Sequence, residues 1–188
     1  MAEGPLFFAT PAELESWLEE NHGSSDGIWV RIAKKHTGIP SLSWAGAVDV
    51  LLCFGWIDGR ARRVDDDWYE QHLTPRRPRS MWSKINRAKA EALIAAGRMR
   101  PAGIAEVERA RADGRWDAAY DGPATATVPD DLHAALQAAG LRDAFAALDG
   151  RNRYAILHRV QTARRPDTRA RRITAAVEML GRGERPYP

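Results

Sequence analysis

The chain has a single cysteine in 188 residues, so no internal disulfide can form and a reducing compartment is the default. Cys53 lies inside the apolar run "VLLCFGW" with no histidine near it in sequence, a setting for a buried, inert thiol. Long hydrophobic runs are also missing. The longest, from Trp44 to Trp56, is broken by Asp49 and is too short to cross a bilayer. The opening "MAEGPLFFAT" lacks the basic start and extended apolar stretch of a secretory signal. These absences predict a soluble, cytoplasmic protein with no membrane span. The five histidines are scattered, with no HExxH and no Cys/His pairing, so no metal is expected. There is no GxGxxG, Walker loop or GxSxG, and no cofactor is expected either.

Lysine is scarce as well, at four residues against 24 arginines, although the net charge is only +3. Arginine's planar fork suits phosphate and carboxylate better than lysine does. Codon usage biased toward arginine explains the ratio equally well. An apolar share of 44% and seven tryptophans supply a real core.

The first 75 residues alternate strand-like and helix-like pieces. "GPLFFAT" is a candidate strand. Thr10 then caps a helix with Pro11 at its first position and Glu13 completing a capping box. "GIWVRIAKK" places Ile28, Val30 and Ile32 on one face and Trp29, Arg31 and Ala33 on the other. Ser43 opens a largely apolar helix through "AGAVDVLLCFG", and "RARRVDD" and "DWYEQHLTP" are two further strands. After Pro78 the period becomes helical: Trp82 to Ala96, stopped by Gly97, then from Pro101 to near Gly114. The proline-marked stretch 121–131 reads as a linker. Three or four short helices follow, the last begun by Pro166 and Asp167, and "GRGERPYP" is expected to fray. The expected fold is α+β: a small, mostly antiparallel sheet with helices over 1–120, the linker, then a helical C-terminal module over 132–188. The module's few large apolar side chains fall short of the ordering cost, so it is expected to dock on the first domain.

Charge is concentrated in three places. Residues 55–70 hold five acids against Arg60, Arg62 and Arg63, a net of −2, while residues 74–86 hold Arg76, Arg77, Arg79 and Lys84, a net of +4. One reading has these neighbours neutralise each other in surface ion pairs. The other is an anion site at a helix start, where free backbone N–H groups favour negative charge. In it Arg76 and Arg77 pair with the anion, Ser80 and Ser83 donate hydrogen bonds, Trp82 stacks and Asn86 orients. Residues 151–172 carry eight arginines and one aspartate, a net of +7, so the remainder of the chain sums to −4. Such asymmetry suits a polyanion or an acidic protein partner. Thr168 and Arg169 are placed to face the same cleft as Arg76. Nucleic acid is not the expected partner, because lysine, Gly-rich loops and exposed aromatic strands are scarce. Asp58 stands between a helix and a strand, either as a general base or as a turn residue before Gly59.

Four motifs in order, "LLCFGWIDG", "TPRRPRSMWSKIN", "GRMRPAG" and "TARRPDTRARRI", resemble the YdeI/OmpD-associated, or bacteriocin-protection, family over nearly the whole chain. In that family a lysine often stands near the position of Arg164, which keeps the charge. The motif positions are Gly55, Trp56, Asp58 and Gly59; Pro75, Arg76, Ser80, Trp82, Ser83 and Asn86; Gly97, Met99 and Gly103; and Thr168 and Arg169. The resemblance implies a part in envelope stress or in tolerance of bacteriocins and antimicrobial peptides, with no reaction attached. The expected function is therefore stress or bacteriocin protection by binding a small anionic or phosphorylated ligand. Two alternatives stay open: an enzyme acting on that ligand with Asp58 as base, and a protein- or nucleic-acid-interaction module using the basic C-terminal helices.

Overall fold

The structure, a computed structural model, describes residues 4–188. The chain divides into two compact units, Met1–Trp82 with Asn86–Ala118, and Ser83–Ile85 with Ala119–Pro188. All seven tryptophans belong to the first.

Strand β1 (Leu6–Phe7) leads into helix α1 (Pro11–Asn21) through the capping box. The Glu13 amide donates to Thr10 Oγ1 at 3.3 Å, and Glu13 Oε2 accepts from the Ala9 amide at 2.9 Å, with Pro11 at the first helical position. Strand β2 (Ile28–Ala33) follows, and then helix α2 (Trp44–Cys53), whose Ser43 cap accepts from the Gly46 amide at 3.2 Å. Strands β3 (Trp56–Arg63) and β4 (Trp68–Pro75) complete a sheet of order β1-β2-β4-β3. Only β1 and β2 run parallel; the other two pairings are antiparallel. Val30, Ile32 and Leu73 are buried on the inner face of the sheet. Trp29 pairs with His72 and Arg31 with Glu70 on the other.

Strand β3 starts earlier than the sequence pattern suggests. The apolar helix ends at Cys53, and "WID" pairs with Leu73–Pro75 of β4 before one extra residue enters the strand between Asp58 and Ala61. Asp58 therefore lies on a strand beside a bulge. The turn tendency of Asp-Gly is spent on that bulge, where Gln71 Nε2 donates to the Gly59 carbonyl at 2.8 Å.

Helices α3 (Lys84–Ala95) and α4 (Pro101–Ala112) follow, ending near Gly97 and Gly114, both with φ close to +70°. α3 begins two residues later than its sequence period implies. Ser83 pairs as an isolated bridge with Tyr120, and the Lys84 amide donates to the Tyr120 carbonyl at 2.8 Å, which holds the backbone extended to that point. Helix α4 approaches the end of α2 backbone to backbone: a Cβ on Gly103 would stand 2.3 Å from the Cys53 carbonyl oxygen.

The second unit holds α5 (Asp130–Ala138), α6 (Arg142–Ala146), α7 (Gly150–Gln161) and α8 (Pro166–Gly181). Helix α5 takes its first residues from the stretch read as linker, because Pro129 presets the extended backbone before it and Asp130 and Asp131 favour a helix N-terminus. Leu132, Leu136, Phe145, Ile156, Leu157, Val160, Ile173, Ala176 and Leu180 form this unit's own core. The C-terminal stretch is fastened. The Tyr187 amide donates to Asn152 Oδ1 at 2.8 Å, and Arg182 pairs with Glu184 at 2.9 Å.

Gly103→Ala should destabilise the protein by about 1–3 kcal/mol, because the new methyl meets backbone that cannot move aside. Urea unfolding of the variant and the parent measures this; equal midpoints would mean that α4 slides freely past α2.

Candidate functional site

The stretch 74–83 wraps around a tryptophan. Arg76 leaves β4 with its amide donating to the Gly55 carbonyl at 2.9 Å, which continues the β3–β4 pairing by one residue. Its side chain turns inward, 5% exposed, and stacks over the Trp82 ring at 3.7 Å. Its Nη1 donates to the Met81 carbonyl at 3.2 Å. Trp82, 1% exposed, meets Trp116 edge to face at 4.8 Å between ring centres. A second arginine closes the strap. Arg115, 4% exposed, donates from Nη1 to the Ser80 carbonyl at 2.8 Å and from Nε to the Asp113 carboxylate at 2.7 Å. Two buried guanidinia thus bond the consecutive carbonyls of residues 80 and 81.

Outside this strap the chain makes a tight turn. The Ser80 amide donates to the Arg77 carbonyl and the Arg77 amide to Ser80 Oγ, both at 2.9 Å, leaving Arg77, Pro78 and Arg79 exposed at the tip. The acids of 55–70 are engaged elsewhere: Glu70 by Arg31 at 3.1 Å and Arg62 at 2.6 Å, Asp66 by Arg63, Asp67 by His36 at 3.7 Å. Among the described residues Arg77 and Arg79 make no ion pair, so neutralisation by the neighbouring acids does not reach the turn. In the strap, Trp82 Nε1 and Arg115 Nη2 are buried with no acceptor among the described residues. A buried, unsatisfied donor costs about 1–3 kcal/mol.

Asp58 is half-buried near this cluster. Burial pushes its carboxyl above the usual carboxylate range, opposed by a backbone hydrogen bond and by the Arg76 guanidinium.

Ser83 is buried in the bridge to Tyr120, and Asn86 is half-buried on α3. Thr168 is half-buried in the first turn of α8. The Arg169 fork is fully engaged within the second unit, donating to Asp131 Oδ2 at 2.6 Å, Asp131 Oδ1 at 2.9 Å and the Val160 carbonyl at 2.9 Å. Sequence reasoning missed Arg115. Its signal was present in "ADGRWD", where a glycine turn puts an arginine beside a tryptophan, but only the fold brings it to Ser80. Among the described residues no three His, Cys, Asp or Glu side chains group to hold a metal, and no helix is long and apolar enough to cross a membrane.

Asp58→Asn should stabilise the protein at pH 7. A carboxyl raised in the folded state contributes stability below its unfolded value of about 4, and this is lost as pH rises through the folded value. Thermal melts should therefore show the variant's advantage growing from pH 3 to pH 7; a gap that shrinks with pH would refute the desolvation account.

Residues 6–106 match the family described as Domain of unknown function (DUF8412). Residues 125–183 match the family described as Bacteriocin-protection, YdeI or OmpD-Associated. No curated protein and no solved structure matches the chain. With more than half its length covered by the first match, the chain belongs to the DUF8412 family and carries a YdeI/OmpD-associated, bacteriocin-protection domain over residues 125–183.

Proposed function

We propose that the protein acts in protection against bacteriocins by binding a small anionic ligand, phosphate- or carboxylate-bearing, at the strap around Trp82. The observation that carries this reading is the pair of buried donors, Trp82 Nε1 and Arg115 Nη2, that meet no acceptor among the described residues. Both groups can only donate. An anion entering by the turn would answer them, and the exposed Arg77 and Arg79 at its tip would raise the local anion concentration. Arg76, Arg77, Ser80 and Trp82 remain in the site, and Arg115 joins them. Ser83, Asn86, Thr168 and Arg169 are not required. The protective role rests on the description of the family matched by residues 125–183.

A second reading is enzymatic. Its support is the desolvated Asp58 carboxyl next to Arg76, a setting that suits a general base. Asp58→Asn would then preserve binding and abolish turnover, whereas a pure binder shows no turnover to lose.

Titration calorimetry with inorganic phosphate, sulfate and a panel of carboxylates tests the binding reading. Trp82→Phe keeps a ring under Arg76 and deletes one donor, so affinity should fall about tenfold, the worth of one charge-assisted hydrogen bond. Arg77→Gln with Arg79→Gln should slow association and flatten its salt dependence while leaving the fold intact. If the parent protein binds none of these anions, the reading fails.

A further inference from the structure

We propose that the second unit carries a ligand site of its own, for a small aromatic anion, in a pocket of about 420 Å³ between helix α7 and the C-terminal stretch. All of its lining residues belong to the second unit, and the proposal is independent of the strap around Trp82.

Helix α7 carries two stripes. Asn152, Ile156, Leu157 and Val160 are buried. Arg151, Tyr154, Ala155, His158 and Arg159, at spacings of three and four, line up on another face and border the pocket. Tyr187 supplies the opposite wall, because its amide is tied to Asn152 Oδ1 at 2.8 Å and the Arg151 guanidinium lies over its ring at 4.1 Å.

Two rings of the lining are held by contacts within the second unit. The Tyr154 hydroxyl donates to the Asp121 carbonyl at 2.9 Å, which fixes its ring plane. His158 is held edge to face by Tyr120 at 4.8 Å and tilted against Tyr154 at 5.7 Å. Burial, followed by the nearby Arg172 charge, lowers the His158 pKa, so near neutral pH the ring is an uncharged wall. Preformed walls reduce the ordering cost of binding.

Charge decides the sign of the ligand. Arg151 and Arg159 stand at the two ends of the stripe, about 12 Å apart along the helix axis at 1.5 Å per residue. Among the described residues neither guanidinium has a carboxylate partner. The acid closest to Arg151 in sequence, Asp149, caps α7 and has both oxygens occupied by Asn152, through its amide and its Nδ2, each at 2.8 Å. Rings between two unpaired cations suit a flat body with an anionic end. The volume falls within the ordinary range for small-molecule sites.

Phenyl phosphate is a direct probe, with inorganic phosphate and phenol as its two halves. Titrated into the full 188-residue chain and followed by amide NMR shifts, phenyl phosphate should perturb Tyr154, Ala155, His158 and Tyr187 with one-site saturation. Phosphate and phenol should each bind about tenfold more weakly at these residues, since each lacks one half of the recognition. Ala155→Leu, which fills the pocket, and Arg159→Gln, which removes an exposed cation, should each weaken phenyl phosphate about fivefold or more. Trp82→Phe should leave this site unchanged, so failure here and failure of the strap are separable. The proposal is overturned if phosphate alone matches phenyl phosphate at these residues, if the shifts lie elsewhere, or if neither pocket variant alters the affinity.

Discussion

Burying a guanidinium is expensive, and in the first unit the acceptors that offset this cost, the carbonyls of Ser80 and Met81 and the carboxylate of Asp113, hold the chain around Trp82. Arg76 and Arg115 are both about 95% enclosed, and the backbone between them must turn its carbonyls inward to meet them. A helix started at Trp82 could not do this. The tight turn over 77–80 and the edge-to-face tryptophans flank the same two carbonyls. Part of a motif that looks like a surface basic patch is in this sense interior architecture, while the turn tip faces water.

Arginine serves a related purpose in the second unit. Arg153 donates to the Leu148 carbonyl at 3.0 Å, Arg169 to that of Val160, and Arg172 to that of Arg159. The last two add donors to carbonyls at the C-terminal end of α7, where positive charge is also favoured by the helix dipole. The dense basic block thus separates into members that tie helices together and members, such as Arg151 and Arg159, that face outward.

Much of the fold was legible because its signals are local. Thr10–Pro11–Glu13, Ser43, Gly97, Pro101, Gly114 and Pro166 each carry a backbone preference that operates within one helical turn, and the structure uses every one. What escaped was non-local. The bulge at Gly59 depends on the register with β4, and the late start of α3 on a bridge to Tyr120, 37 residues beyond Ser83. The fastened C-terminus depends on one asparagine in α7. The site was partly legible in the same way. Arg76 and Trp82 stand in one short motif, whereas Arg115 required the chain to return after α4.

The confinement of all seven tryptophans to the first unit makes the two halves optically distinct. Indole emission reports the first unit alone, while far-ultraviolet circular dichroism sums the helices of both units. A single sample heated once can therefore report whether the halves melt together or in sequence, because coincident transitions by the two probes are the signature of one cooperative molecule.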